Sequence, residues 1–208
     1  MATPPPDRAR FELAYQPNTT DPGPWDIPRP QPALVEIVDQ ITGRILDSGC
    51  GTGENALFFA SLGREVVGID FVEAAIKQAK ERAAGRGIAV TFLVKDALTL
   101  AEWDERFDNV IDSAVFHVFS DEQVRTYVDG LAHVLKSGGR LFLIVFSDAE
   151  PGEHGPRRIS RAMLEAAFAT GWVIESITPT QYEVLPQFDG SYLSKGGARA
   201  WLAIMRRI

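Results

Sequence analysis

The stretch Leu46-Asp47-Ser48-Gly49-Cys50-Gly51-Thr52-Gly53-Glu54 decides how this chain folds. An apolar run, Arg44–Ser48, reads as a strand and passes directly into glycines at every second position. Glycine lets the backbone turn sharply and approach a ligand with no Cβ in the way. An apolar helix, Glu54–Leu62, follows at once and is closed by Gly63. Ligands of open α/β sheets lie beyond the carboxyl ends of the strands, so this turn is where a ligand is expected.

The pattern alternates outward from there. Strands are predicted at Glu65–Asp70, Ala89–Lys95, Phe107–Ala114, Arg140–Phe146, Trp172–Ile177 and Ala198–Met205. Helices are predicted at Ala33–Ile41, Val72–Ala84, Ser120–Leu135 and Ser160–Thr170. Ser120 and Gln123 stand in capping-box spacing. Val124, Tyr127, Val128, Leu131 and Leu135 keep a helical period, and Gly138-Gly139 is the expected stop. Apolar strands joined through helices imply a doubly wound, mostly parallel sheet covered on both faces, in a single α/β domain over residues 33–208. The final two strands lack a helix between them, which predicts an antiparallel strand at or near one edge.

Residues 1–32 hold nine of the thirteen prolines, a density that predicts no regular helix or sheet there. Residues 1–10 read as a disordered tail. Residues 11–32 interleave Phe11, Leu13, Tyr15, Trp25 and Ile27 with the prolines and read as a strap that docks on the domain.

Composition excludes several classes. No run approaches the ~18 apolar residues that span a bilayer, and the N-terminus lacks the basic-then-apolar order of a secretory signal, so a cytoplasmic protein is expected. One cysteine, Cys50, excludes a disulfide framework and a Cys-rich zinc module, and three scattered histidines (117, 133, 154) argue against a metal cluster. A net charge of −7 argues against charge-driven binding of nucleic acid. Arg157, Arg158 and Arg161 form the one dense basic group, a local patch or a solvated helix start.

Acids at successive strand ends narrow the ligand. Asp70 closes Val66-Val67-Gly68-Ile69-Asp70. A carboxylate there can accept from both ribose hydroxyls, or cap the following helix. Phe71 can lie flat against a base. Asp96, after the third strand, can accept from an exocyclic amine or cap a turn. Gly51-x-Gly53-x-x-Ala56, with Asp70 beyond it, also fits the loose dinucleotide fingerprint. Asp47 inside the turn, a further acid in Lys95-Asp96-Ala97, and the lack of a second catalytic domain count against a nicotinamide cofactor. Asp47 suits a cationic or amino group better than a pyrophosphate.

At these residues the chain resembles the class I S-adenosylmethionine-dependent methyltransferases. Asp47-x-Gly49-x-Gly51-x-Gly53 looks like the family's first motif, Asp70 like its ribose-binding acid, and Asp96-Ala97 like its adenine site. Phe107-Asp108-Asn109-Val110-Ile111 resembles its fourth strand and Leu135-Lys136-Ser137-Gly138-Gly139-Arg140-Leu141 the turn into its fifth. The resemblance implies a seven-stranded sheet with its last strand antiparallel. It implies S-adenosylmethionine held by Asp47, Gly49, Gly51, Gly53, Asp70, Phe71, Asp96, Ala97 and Ser113. Pro24-Trp25-Asp26-Ile27-Pro28-Arg29-Pro30-Gln31 resembles a segment of the thiopurine and halide/thiol methyltransferases, in which a tryptophan helps enclose the cofactor; this adds Trp25.

The acceptor pocket is expected from the loops after the fourth and fifth strands, the strap and the final hairpin. Phe116, His117, Phe146 and Tyr192 are its candidate lining. His117 is the candidate general base, with a satisfied structural histidine as the competing reading; a thiol, phenol or N-heterocycle needs little or no base. The expected activity is methyl transfer to a small flat acceptor by a monomer or homodimer without a metal. A nucleic-acid or protein methyltransferase is the second reading, and a nonenzymatic cofactor-binding interaction module the third.

Overall fold

The computed structural model describes residues 8–16, 18–20 and 22–208. Seven strands form one sheet: β1 (Ile45–Ser48), β2 (Val66–Asp70), β3 (Thr91–Val94), β4 (Phe107–Ser113), β5 (Leu135–Phe146), β6 (Trp172–Tyr182) and β7 (Ala198–Arg207). Their order is β3-β2-β1-β4-β5-β7-β6. The five strands from β3 to β5 are parallel. The last strand, β7, is antiparallel to both neighbours, wedged between β5 and the edge strand β6. The order reverses between β1 and β4, which opens a crevice at their carboxyl ends.

Both faces of the sheet are covered, which is why its central strands are continuous apolar runs. In β5, Leu141, Leu143 and Val145 enter one core while Phe142, Ile144 and Phe146 enter the other. The first core is filled by α5 (Asp121–Val134) and α6 (Arg161–Ala167). The second is filled by α2 (Pro32–Glu36), α3 (Glu54–Ser61) and α4 (Glu73–Arg86). Ser120 and Gln123 form the expected reciprocal cap on α5.

Four local expectations are corrected. A helix, α1 (Arg8–Ala14), occupies part of the segment read as irregular. The prolines flank residues 7–16 without entering them, so nothing there forbids a helical turn. Residues 1–7 of the expected tail lie outside the described residues. The helix expected over Ala33–Ile41 is only α2 followed by a 3-10 turn at Val38–Gln40. Helix α5 stops at Val134 rather than at Gly138-Gly139, because Leu135 turns extended and opens β5. Strand β6 runs past Ile177 to Tyr182. Pro179 lies inside it and is tolerated because β6 is an edge strand.

The strap docks. Trp25 Nε1 donates to the Tyr15 hydroxyl at 2.7 Å, and Phe11 packs on Trp25. Asp26 accepts from Thr52 Oγ1 at 2.6 Å, and Arg82 donates to that same oxygen. At its far end Gln31 exchanges two hydrogen bonds with the backbone of Glu183, Arg29 pairs with the Glu183 carboxylate, and Leu185 N donates to Pro24 O.

Candidate active site

The glycine turn is held by geometry that only glycine supplies cheaply. Gly49, Gly51 and Gly53 all have positive φ, at 69°, 54° and 87°. A Cβ on Gly49 would stand 2.1 Å from Val115 Cγ2, and one on Gly51 would stand 2.7 Å from the Tyr15 hydroxyl. The loop after β4 and the strap therefore close directly onto the turn.

Three aspartates lie at adjacent strand ends. Asp47 is fully buried, and neither carboxylate oxygen has a hydrogen-bond partner among the described residues. Burial pushes it up to about 7; the Ala56 amide opposes this, while Asp112 and Asp70 add to it. Asp70 takes Gly51 N on one oxygen at 3.0 Å and Val72 N on the other at 2.8 Å. It thus ties the turn to the start of α4 while each oxygen keeps a lone-pair direction free. Burial raises it to about 6 against those two amides. Asp96, half-buried, caps a 3-10 turn by accepting from Leu98 N. Ala97 is buried beside it. The Arg8 guanidinium lies over the Phe71 ring at 4.7 Å and 3.9 Å from Asp96.

Asp112, at the end of β4, escaped the sequence reading. It is fully buried and accepts from Val115 N at 2.8 Å and Phe116 N at 3.1 Å. The Tyr127 hydroxyl donates to it at 3.0 Å and lies 3.0 Å from Ser48 Oγ. Burial raises Asp112 to about 7 despite these donors. It shapes the loop in which Ala114 adopts a left-handed φ of 73°.

A narrow cleft of about 50 Å³ remains beneath the strap. Its walls include Tyr15, Trp25, Ile27, Gly51, Ser113 and Tyr182. Small-molecule sites usually measure ~300–1,000 Å³, so this cleft as it stands is smaller than a nucleoside needs. Ser113 Oγ is buried without a partner at hydrogen-bond geometry. The sequence reads Tyr15 only as one of the strap aromatics and does not single out Tyr182. Both are buried, and burial raises both hydroxyls, Tyr182 to about 12.

Of the expected acceptor residues, Phe116, Phe146 and His117 are buried and Tyr192 is exposed. Phe116 stacks on Phe168 in the core. Phe146 is core as well, edge-on to His117 and against Tyr182. Tyr192 is 58% exposed on a surface loop, beside His154. His117 is buried, and its Nδ1 accepts from Phe146 N at 3.1 Å. The neutral ring therefore carries its proton on Nε2, and burial with nearby Arg158 depresses it to about 3. No lone pair remains to take a proton, so the geometry is that of the satisfied structural histidine. Phe116 and Phe146 sit inside because the strand and loop around them are apolar on both faces.

Comparison with known proteins assigns the family. A family model described as a methyltransferase domain matches residues 45–139. The chain is 33% identical over 181 residues to 2-heptyl-1-hydroxyquinolin-4(1H)-one methyltransferase of Mycobacteroides abscessus, covering 85% of this chain and 78% of that one. It is a class I S-adenosylmethionine-dependent methyltransferase. A probable thiol methyltransferase of Arabidopsis thaliana is 28% identical over 172 residues, covering 79% of this chain and 75% of the other. Among solved structures, one concerned with conversion of a disulfide bond into a thioacetal during echinomycin biosynthesis superposes with a TM-score of 0.78. It is 37% identical and covers 89% of this chain and 85% of that one. Magnesium protoporphyrin IX methyltransferase of Synechocystis with bound cofactor shares the fold, with a TM-score of 0.63, 21% identity, and coverage of 85% of this chain and 75% of the other.

The residues of this methyltransferase fit the cofactor. S-adenosylmethionine presents an ammonium, a ribose diol and an exocyclic amine, and Asp47, Asp70 and Asp96 offer acceptors at three neighbouring strand ends in the same order. The unpartnered oxygens of Asp47 are the most direct sign, since a buried carboxylate without a donor is costly unless a ligand supplies one.

Proposed function

We propose that this methyltransferase acts on a small, flat acceptor whose nucleophile is a thiol, phenol, N-hydroxyl or ring nitrogen. The observation that carries the reading is the narrow cleft under the docked strap, walled by Trp25, Ile27 and Tyr182. With the strap lifted, the space beside Trp25, Ile27 and Tyr182 would admit a thin heteroaromatic and not a polymer backbone. The quinolone and thiol named for two relatives are acceptors of this kind. The basic residues that could serve a nucleic acid are tied up locally. Arg157 pairs with Asp121, Arg161 with Glu165, and Arg158 donates to carbonyls of its own loop.

Asp47 would hold the cofactor's ammonium, Asp70 its ribose hydroxyls, and Phe71 with Asp96 and Ala97 its adenine, the glycine turn allowing close backbone approach. Bound there, S-adenosylmethionine supplies a methyl group already activated by a sulfonium. The chain's task is then to align the acceptor and exclude water, and such orientation can supply up to about 7–11 kcal/mol. His117 takes no part in proton transfer in this reading. Residues 11–32 act as a lid that lifts to admit ligand and closes again through Tyr15 and Trp25.

The test is methyl transfer from labelled S-adenosylmethionine to a panel of hydroxyquinolones, aryl thiols, phenols and N-heterocycles, with bulk RNA and protein alongside. Products confined to the small heteroaromatics are expected; transfer confined to RNA or protein overturns the reading. Deleting residues 1–28 is expected to abolish most turnover, and full-rate transfer by that truncation would reduce the strap to a tail.

A further inference from the structure

We propose that Tyr182, supported by Ser113, is the residue that grips the methyl acceptor, its hydroxyl donating a hydrogen bond to the acceptor's reacting oxygen or sulfur. The inference rests on the acceptor class argued above and adds the residue that recognises it. The strand order serves as a ruler. Counting from one edge, β3 ends at the Asp96 region, β2 ends in Asp70, β1 leads into the glycine turn, and β4 ends at Ser113. A cofactor laid with its adenine over β3 and its ribose over β2 runs along β1, so its methyl group points toward β4 and the strands beyond. On that side, among the described residues, the cleft wall presents two buried hydroxyls, Ser113 Oγ from β4 and Tyr182 from the far end of β6.

The Tyr182 hydroxyl faces the side chains of Ser113 and Gln31, and a hydroxyl can accept from such neighbours and still donate onward. Ser113 Oγ has no partner at hydrogen-bond geometry. The Tyr182 ring is fixed by packing on Phe146, with centroids 5.6 Å apart, and the residue next to it is pinned by Gln31 through two backbone hydrogen bonds. Its hydroxyl is therefore aimed by the scaffold and the strap together. Burial keeps that hydroxyl protonated, at about 12, with Asp112 and Asp47 reinforcing the effect. Tyr182 is then a donor, not a base. As the acceptor's lone pair forms its bond to the methyl carbon, the methyl–sulfur bond breaks with its electron pair passing to sulfur, and Tyr182 keeps its proton throughout. An acceptor that reacts as a phenolate, thiolate or N-oxide anion gains most from such a donor.

The decisive variant is Tyr182→Phe, which keeps the ring and its packing, assayed with a 2-alkyl-1-hydroxyquinolin-4(1H)-one and with thiophenol. Loss of a hydrogen bond to a charged atom is expected to raise the acceptor KM roughly tenfold or more. The apparent pKa of acceptor ionisation in the kcat profile should also move up, because that profile reports the bound complex. The Kd for S-adenosylhomocysteine should stay within about twofold. Ser113→Ala is expected to raise the same KM by a smaller factor. Weakened S-adenosylhomocysteine binding with an unchanged acceptor KM, or no change in the kcat profile of a folded Tyr182→Phe variant, overturns the assignment. A wild-type chain that methylates neither probe but does methylate an unrelated class defeats the acceptor reading itself, and this inference with it.

Discussion

The neighbouring strands β1 and β4 each carry an aspartate at the carboxyl end, and both side chains are completely buried. Around Asp112 the chain has folded onto the carboxylate: two backbone amides and a tyrosine hydroxyl converge on it. Around Asp47 only the Ala56 amide is near, and no donor among the described residues reaches hydrogen-bond geometry. Burial raises both to about 7, yet the two do different work. Asp112 is consumed by the architecture and fixes the loop 113–119. Asp47 is left open to a donor that the chain does not provide. A buried acid with its hydrogen bonds filled is explained by the scaffold, and one with them vacant calls for another partner, which the proposed cofactor ammonium would be.

Removing the scaffold acid has the largest expected effect. Asp112→Ala leaves two amides without an acceptor and the Tyr127 hydroxyl with Ser48 alone, and each orphaned buried group costs about 1–3 kcal/mol. A stability loss of about 3 kcal/mol or more in denaturant unfolding is expected. A variant as stable as the parent would erase the distinction between the two strands.

Asp47→Asn tests the other side. Cofactor affinity should fall about tenfold to a hundredfold, as expected for a lost charge-assisted hydrogen bond. The fold itself should gain stability at pH 8, because a neutral amide replaces a buried charge that lacks a partner. Calorimetric titration and thermal melts read the two effects separately. A destabilised Asp47→Asn variant would show that Asp47 also belongs to the scaffold.

The pH dependence of stability follows from the same acids. Asp47, Asp112 and Asp70 are raised in the folded chain to about 7, 7 and 6, so between about pH 4 and 7 the folded state holds more protons than the unfolded one. Their contribution to stability falls as pH rises through that window. His117, depressed to about 3, works in the opposite direction up to about pH 6.5, but it is one group against three. The cofactor-free protein should therefore melt at a lower temperature at pH 7.5 than at pH 5, with a shallower slope in Asp47→Asn. A melting temperature that climbs over this range would contradict the acids' raised state.

The smallest effect is expected at the adenine end. Arg8 covers Phe71 and reaches Asp96, where the adenine would lie. Its ion pair is solvent-exposed and weak. Arg8→Ala should tighten S-adenosylhomocysteine binding by no more than about fivefold, measured by calorimetry. Weaker binding would instead make Arg8 part of the adenine's enclosure.

What could be read from the sequence followed from how local each signal is. Alternating glycines, the acid closing β2 and the capping box are written in consecutive residues, and the structure places them as expected. Asp112 was hidden because a single acid at the end of an apolar strand looks like any strand terminus. Its importance comes from Tyr127, which is distant in sequence. Tyr182 was missed because Pro179 reads as the end of a strand, and only the edge position of β6 lets the chain continue past it. Tyr15 stood among the strap aromatics, but its place over Gly51 depends on α1, which the surrounding prolines concealed. The burial of two expected acceptor residues was hidden for the converse reason. Phe116 and Phe146 are adjacent in sequence to the site, yet their side chains point into the two cores.

The ties between Gln31 or Arg29 and Glu183 join the first segment of the chain to nearly the last. During synthesis the N-terminal strap leaves the ribosome with its indole and phenyl rings exposed, and its mooring emerges only after β1 to β6 have been made. The far end of the strap is therefore moored late, with only β7 and the loop before it still to be made. A nascent chain interrupted before residue 183 would have its glycine turn, all three strand-end acids and the Asp26–Thr52 tie, yet lack the second mooring of the strap.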